Sequence, residues 1–322
     1  MVLGSYRGTV HGKIGGAGVA PKRARRVGGL AARLTVLPVL ALLAGCGVDT
    51  SSSVSAPTQP PPVVVGASTT VESELVARLY AGALEAAGRR TELVLGLGDR
   101  ADRLEALDAN RVSLVPDYTG RLLHWFEPGA DVTAAEDVFE MLNKALPGDL
   151  AVSEYAPADD RSALVLPRPE ADRLGARAIG DIAPDCAGLT LYTSEGFDED
   201  ELALSRVRSA YGCTFRAVVP VGPTDDVVRE LLASPSPIGG ATAAAAGVQD
   251  AGLVVLDDSE DAFTAQNVVP LYRSNVLRAD DVNGLSVVLQ LTTADLTEMV
   301  VSIRSGEISS ADAASAWLDE HL

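Results

Sequence analysis

Hydrophobic residues follow two different spacings along residues 63–322, and these spacings alternate. Short β-branched runs, such as VVVG at 63–66, are typical of strands. The segment 72–87 then carries apolar residues every three or four positions, which is the spacing of an amphipathic helix, and Gly88 ends it. Because the two patterns keep alternating towards the C-terminus, the sequence predicts α/β layers with mainly parallel sheet.

The pattern predicts a strand or a helix in most of this part of the chain. Strands are predicted at 63–66, 91–97, 114–115, 151–155, 162–167, 189–193, 214–219, 253–256 and 268–272. Helices are predicted at 72–87, 99–109, 132–146, 199–211, 224–232, 242–249, 280–291, 293–305 and 309–320. Ligands of such sheets bind beyond the carboxyl ends of the strands. The candidate site loops are therefore 66–71, 116–121, 156–162, 193–198 and 239–245.

The N-terminus has the three parts of an export signal. A cationic stretch precedes an apolar run at 34–43, and small residues follow. The apolar run is about half of the ~20 residues that a membrane-spanning helix needs. The last four residues, Leu43-Ala44-Gly45-Cys46, resemble a bacterial lipobox, which implies a signal peptide at 1–45 and a lipid on Cys46. Residues 46–62 are rich in Ser, Thr and Pro and predict a flexible tether. We therefore expect a body held at the outer face of the cell membrane.

Charge and composition exclude several classes of function. Seven of the 26 basic residues precede Cys46, which leaves 19 against 44 acidic residues, or about −25, on the rest of the chain. A body this acidic is a poor nucleic-acid binder, because phosphate repels it. Three cysteines and three histidines, all widely spaced, give no metal framework and no Ser-His-Asp triad. The adjacent Asp159 and Asp160 make a poor acid/base pair, so we expect no enzyme, no cofactor and no metal.

Two cysteines in the body lie just before predicted strands. Cys186 precedes the strand at 189–193, and Cys213 precedes the strand at 214–219. If these strands are parallel neighbours, both cysteines lie at one end of the sheet, and export permits a disulfide. The alternative is two separate buried thiols.

Five segments of the body carry a resemblance to a known family. In chain order they are VVVGASTTVESELVARLYAGALEAAG, LVPDYTGRLL, YAPADDRSALVL, AQNVVPLYR and LTTADLTEM. They are similar, in this order, to segments of the ProX/OpuAC-type binding proteins, which serve ABC importers of glycine betaine, choline and related osmoprotectants.

The resemblance implies a two-lobed, periplasmic-binding-protein-like fold of type II, with a hinge and a cleft between the lobes. Lobe I would comprise 63–150 and 268–322, and lobe II would comprise 151–267. The implied partners are a small-molecule solute and the permease and ATPase subunits of the importer. A monomer is expected.

The resemblance also assigns site residues, and several differ from the family pattern. Family members hold a quaternary ammonium group in a cage of tyrosines with an aspartate nearby, which implies Tyr118 and Asp160 here. Other cage aromatics of the family correspond to Ser162, Thr242 and Thr70. The loop position of a carboxylate-binding lysine is Ser68, next to Thr69, and a carboxylate-binding arginine falls at about Asp200. Arg121 and Arg161 are candidate replacements for that positive charge.

These differences predict a related receptor with a changed ligand: a neutral or hydroxylated molecule, or a cation without a carboxylate. A single tyrosine loses most of the cage's cation–π attraction. A ligand carboxylate would lack its basic partners. The alternative function is an envelope lipoprotein that senses ligands or binds partners without transport.

Overall fold

The computed structural model describes residues 60–195, 197, 202–234 and 237–322. The predicted signal peptide, the lipidation site Cys46, most of the tether and the acidic positions 198–201 lie outside the described residues.

Ten strands and twelve α-helices are described. The strands are β1 (Val63–Gly66), β2 (Thr91–Val94), β3 (Leu114–Tyr118), β4 (Leu150–Val152), β5 (Ser162–Leu166), β6 (Thr190–Ser194), β7 (Ala217–Gly222), β8 (Pro237–Thr242), β9 (Val254–Val255) and β10 (Val268–Arg273). The helices are α1 (Val71–Ala86), α2 (Arg100–Asp108), α3 (Thr119–Phe126), α4 (Ala135–Ala145), α5 (Arg168–Leu174), α6 (Ile179–Ile182), α7 (Ala203–Tyr211), α8 (Thr224–Ala233), α9 (Ala246–Asp250), α10 (Ala279–Gly284), α11 (Thr293–Arg304) and α12 (Ser310–His321). Two 3₁₀ turns lie at Cys186–Gly188 and Leu285–Gln290.

The first sheet has the strand order β2-β1-β3-β10-β4. Strands β1, β2 and β3 are parallel, whereas β10 runs antiparallel to both β3 and β4. Helix α1 covers this sheet and buries its apolar face, including Leu75 and Leu79, where it also meets Leu318 of α12. At ~1.5–3 kcal/mol per buried leucine, such packing is what holds these layers together.

The second sheet has the order β7-β6-β8-β5-β9 and is also mixed, because β5 is antiparallel to both of its neighbours. The expectation of mainly parallel sheet is therefore only partly right. Strands β10 and β5 are each reached by a segment that crosses from the other sheet, not by a helix that returns along the same sheet. A connecting helix of that kind is what makes successive strands parallel, so these two strands need not be parallel to their neighbours.

Strand β8 was missed by the sequence pattern, and the helix predicted at 242–249 begins too early. Thr242 is the last residue of β8, and α9 begins only at Ala246. The sequence of β8, PIGGAT, holds one β-branched apolar residue. Its glycines are required by packing: a Cβ at Gly240 would lie 2.8 Å from the ring of Phe197. Close approach, rather than strand propensity, decides the residue there.

Two segments cross between the sheets side by side. Strand β4 pairs with β10, so Ala151 and Val152 belong with the first sheet, and the change of lobe falls after them rather than at 151. The first crossing then runs antiparallel to the residues that precede β10. Backbone hydrogen bonds join Asp160 N to Gln266 O (3.0 Å) and Val268 N to Ala158 O (2.9 Å). This paired crossing is the hinge of a two-lobed molecule.

The cysteines of the second lobe are bonded to each other. Strands β6 and β7 are parallel neighbours, which brings the residues preceding them to one end of the sheet. The Cα atoms of Cys186 and Cys213 are 5.4 Å apart, and their Sγ atoms form a disulfide. Of the two alternatives for these cysteines, the structure contains the bridge.

In the part of the chain that is described, no single helix has the length and hydropathy of a membrane span, although the bent pair Ala279–Gln290 and Thr293–Arg304 meets that test when taken together.

Candidate ligand-binding cleft

A cavity of about 360 Å³ lies between the two lobes. Six of the residues proposed from the sequence line it: Ser68, Thr70, Tyr118, Arg121, Asp160 and Thr242. They come from the loop before α1, the end of β3, the start of α3, the first crossing and the end of β8. The geometry therefore collects them at strand ends, where ligands of α/β sheets bind.

Thr69, Ser162 and Arg161 are not among the lining residues of this cavity. Thr69 is exposed. Ser162 is buried, its hydroxyl lies 3.4 Å from the carbonyl oxygen of Phe197, and it lines a neighbouring cavity. Arg161 also lies outside the cleft and pairs with Asp159 (2.7 Å) and Asp261 (3.3 Å).

Hydroxyl groups cover the N-terminus of α1 at one wall of the cavity. The Thr70 hydroxyl caps the helix by accepting from Ser73 N (3.2 Å), and the Ser68 hydroxyl lies 3.3 Å from the Thr70 hydroxyl. The Ser73 hydroxyl accepts in turn from Ser68 N (2.9 Å). Because a Thr cap satisfies an otherwise open helix N–H, the sequence STTVES fixes both the start of α1 and this polar wall.

The DYTG segment connects β3 to α3 against the second crossing. Thr119 is fully buried: its backbone N–H donates to Asn267 O (3.0 Å), and its hydroxyl accepts from Asn267 N (3.1 Å). Gly120 follows, and a Cβ there would lie 2.5 Å from the carbonyl oxygen of Ala265 and 2.7 Å from Gln266 Nε2. The segment thus packs the site directly against the hinge, and this contact leaves no room for a side chain at position 120.

Gly120→Ala is expected to lower the free energy of unfolding by about 1–3 kcal/mol, since the methyl group forces the backbone of α3 away from the crossing. Urea unfolding followed by circular dichroism measures this. Gly148→Ala is the matched control, because nothing lies within 4 Å of a Cβ at Gly148. Equal stability of the two variants would contradict the close approach.

Asp117, buried beneath the cavity, is held by two arginines of α2. Its carboxylate accepts from Arg100 Nη2 (3.0 Å) and from Arg103 Nη2 (3.0 Å), and its side chain is only 2% exposed. Burial by itself raises the pKa of Asp117, but the charges of the two guanidinium groups outweigh it and hold the pKa below its usual value. Asp117 is therefore an anion at neutral pH in the floor of the site.

Asp160 joins the two lobes across the cavity. One oxygen accepts from Arg121 Nη1 (3.3 Å) and Nη2 (3.4 Å), and the other accepts from Ala244 N (3.1 Å). Burial raises the pKa of Asp160, and the nearby charge of Arg121 with the hydrogen bonds from Thr242 and Ala244 offsets this only in part. Because the carboxylate is largely buried, it depends on these partners to remain charged.

The Tyr118 ring carries a cation on its face. The Cζ atom of Arg121 lies 4.6 Å from the ring centroid, well within the range of cation–π attraction. Burial, followed by the charge of Asp160, raises the pKa of the Tyr118 phenol well above 10. The phenol therefore stays neutral and contributes its ring face and its hydroxyl.

Sequence reasoning missed the remaining polar lining. This comprises Glu72, Ser73, Arg100, Arg103, Asp117, Thr224 and Arg304. Arg304 is paired across the lobes with Asp225 (3.3 Å). Counting Asp225, four arginines face four carboxylates around the cavity, so its charges balance. Asp117 is part of the DYTG segment, so the family resemblance could have pointed to it. Arg100 and Arg103 gave only a three-residue spacing, which does not reveal their partner.

Ion pairs also join the two lobes directly. Besides Arg304 and Asp225, Arg206 of α7 donates to Asp131, which lies before α4 (2.9 Å). The lobes are therefore in contact around the cavity. Among the described residues, no group of three or more His, Cys, Asp or Glu side chains is placed to hold a metal ion.

Comparison with known proteins identifies the sequence family. A sequence model of the substrate-binding domain of the ABC-type glycine betaine transport system matches residues 61–320. Among curated proteins, none matches this chain.

Solved structures share the fold at low sequence identity. A glycine betaine/carnitine/choline ABC transporter structure has a TM-score of 0.71 and 16% identity, over 80% of this chain and 98% of that one. Apo YehZ from Escherichia coli has a TM-score of 0.68 and 21% identity, over 80% and 98%. Lactococcal OpuAC, closed on glycine betaine, has a TM-score of 0.51 and 12% identity, over 81% and 96%. At such identities the likeness establishes the two-lobed fold alone.

Proposed function

Because the chain belongs to the family of substrate-binding domains of ABC-type glycine betaine transport systems, we propose that it captures an osmoprotectant-type solute in the cleft around Tyr118. Membership of this family makes the chain an extracytoplasmic solute receptor of an ABC importer and not an enzyme. The ligand and its binding residues are the proposed part.

One observation carries the proposal. Tyr118 and Arg121 of one lobe meet Asp160 and Thr242 across a cavity of about 360 Å³. Residues of both lobes therefore line one site at the hinge, so a solute bound there would contact both lobes and favour the closed arrangement.

The lining supports a ligand without net charge. With Asp225, the partner of Arg304, the arginines and carboxylates around the cavity are equal in number, so the site has no excess charge that would favour a cationic or an anionic ligand. Hydroxyl groups are numerous: those of Ser68, Thr70, Ser73, Thr224 and Thr242 all belong to the lining. Hydroxyls both donate and accept, which suits polar neutral molecules.

The remaining parts of the proposal concern location and partners. Export by a signal peptide at 1–45 and a lipid on Cys46 would hold the body at the membrane through the 46–62 tether. The permease and ATPase subunits of an importer are the proposed protein partners of a monomeric receptor. Lobe I is proposed to comprise 63–152 and 268–322, with its boundary moved to the end of β4, and lobe II to comprise the residues between these two ranges. No observation favours the alternative of a lipoprotein without transport.

Thermal unfolding against a panel of solutes tests the proposed function. The panel contains glycine betaine, choline, carnitine, polyols and neutral sugars. A solute present at a hundred times its dissociation constant adds about 2.7 kcal/mol of stability, so at least one compound is expected to raise Tm by several degrees. The shift should be absent in Thr242→Val, which removes a lining hydroxyl at nearly constant volume. No shift with any compound would contradict the proposed function.

A further inference from the structure

The face of Tyr118 and the carboxylate of Asp160 together form a subsite of cation-binding chemistry. An aromatic face attracts organic cations, and it does so more strongly when water is excluded. A low-exposure carboxylate beside it supplies the counter-charge, and the side chain of Asp160 is only 14% exposed. A trimethylammonium group and a guanidinium group are of similar size, so either can occupy such a subsite.

The occupant in this protein is a residue of the same chain. The Arg121 guanidinium lies on the Tyr118 ring, with Cζ 4.6 Å from its centroid, and bonds to Asp160 through both terminal nitrogens. Arg121 therefore contacts both groups of the subsite, the Tyr118 ring and the Asp160 carboxylate.

Arg121 is held in this position by its backbone as well as its side chain. It lies in the first turn of α3, where its N–H donates to Gln266 Oε1 (2.8 Å) of the second crossing. The absence of a side chain at Gly120 lets α3 approach that crossing closely. The guanidinium is thus positioned by the hinge itself, and its side chain is 13% exposed.

We propose that Arg121 is a specificity-determining residue that fills the cation subsite of the cleft, so that quaternary ammonium heads are excluded and neutral hydroxylated solutes are taken. The inference rests on the proposed function and deepens it. A free organic cation would have to displace the guanidinium from both Tyr118 and Asp160, and it would then lie beside a second positive charge. A polyol needs neither group, because Ser68, Thr70 and Thr242 also line the cavity and a hydroxyl group can both donate and accept.

Removing the internal cation should open the subsite. Isothermal titration of the full-length protein at pH 8 compares choline with 3,3-dimethylbutan-1-ol, which has the same shape without the charge. Arg121→Ala is expected to bind choline at least about tenfold more tightly than the wild type does, on the scale of one desolvated cation–π contact with its counter-ion. Binding of the neutral analogue should change far less.

Matched variants separate the subsite from general effects. Arg121→Gln removes the charge but keeps a donor for Asp160, and it should also gain choline binding. It replaces Arg121→Ala in the test if that variant fails to fold. Arg111→Ala removes the same charge from the surface of the same lobe, where Arg111 pairs with Glu105, and should gain nothing. Adding Tyr118→Leu to Arg121→Ala should abolish the gain.

The outcomes distinguish this inference from the proposed function. A wild type that binds choline as tightly as the Arg121 variants do overturns the inference but leaves the receptor function intact. Folded Arg121 variants that gain no choline binding overturn it as well. A wild type that takes no solute of the panel contradicts the proposed function and, with it, the uptake of neutral solutes, whereas a gain of choline binding by the variants still supports the exclusion of cations by Arg121.

Discussion

Replacing Asp117 by asparagine is expected to lower the free energy of unfolding by about 3–5 kcal/mol, which is the usual cost of removing one partner from a buried ion pair. Asp117 is the shared anion of Arg100 and Arg103, and its side chain is 2% exposed. Asparagine keeps the size but removes the charge, so two guanidinium groups of low exposure are left facing each other. Their desolvation is then no longer compensated.

Urea unfolding of the wild type and the variant at pH 7 measures this difference. Glu140→Gln is the control, because Glu140 pairs with Lys144 on the exposed face of α4 with more than two thirds of each side chain accessible. Exposed pairs of this kind contribute about 0.3–0.5 kcal/mol. If Asp117→Asn cost no more than Glu140→Gln, the floor of the cleft would not depend on its buried anion.

The pH dependence of that difference has a definite sign. The folded pKa of Asp117 is lowered, so its contribution is fully present above the unfolded value near 3.8 and is lost as pH falls through the folded pKa. The stability gap between the wild type and Asp117→Asn should therefore be constant at neutral pH and shrink at acidic pH below about 4. A gap that grew on acidification would contradict the lowered pKa.

The elements with a strong period in the sequence were predictable, and those decided by close packing were not. Strand β1 has the predicted limits, and α1 differs from its prediction by one residue at each end, because VVVG and the apolar stripe of α1 carry their own signals. Strand β8 carries no such signal: its glycines reflect the approach of Phe197, a contact between distant parts of the chain. Helix α3 was not predicted, because its short segment, TGRLLHWF, has a glycine, Gly120, in its first turn.

For the site, the sequence named residues that the structure brings to one cavity, but it did not show what they contact. Tyr118 and Asp160 were both placed at the cleft, and the structure brings them together. Nothing in the spacing DYTGR shows that the Arg121 side chain folds back over Tyr118, since that depends on the turn from β3 into α3. Ser162 lies outside the cavity for a similar reason: it stands opposite Thr242 in the β5–β8 pairing, yet its hydroxyl turns to the carbonyl oxygen of Phe197.

The disulfide of the second lobe provides the other large effect. Cys186 and Cys213 close a loop of 27 residues, and the chain-entropy relation for such a loop gives about 3.5 kcal/mol of stability. The double variant Cys186→Ala with Cys213→Ala is therefore expected to unfold at markedly lower urea concentration than the wild type does. The same loss should appear in wild-type protein treated with dithiothreitol.

The reductant supplies the control for packing changes at the two buried cysteines. Dithiothreitol should move the unfolding midpoint of the wild type towards that of the double variant and leave the variant itself unmoved, because only the wild type has a bond to lose. A wild type whose midpoint ignores the reductant, and whose unreduced mass shows two free thiols, would contradict the bridge. The sheet would then rely on the pairing of β6 with β7 alone to hold that end of the lobe together.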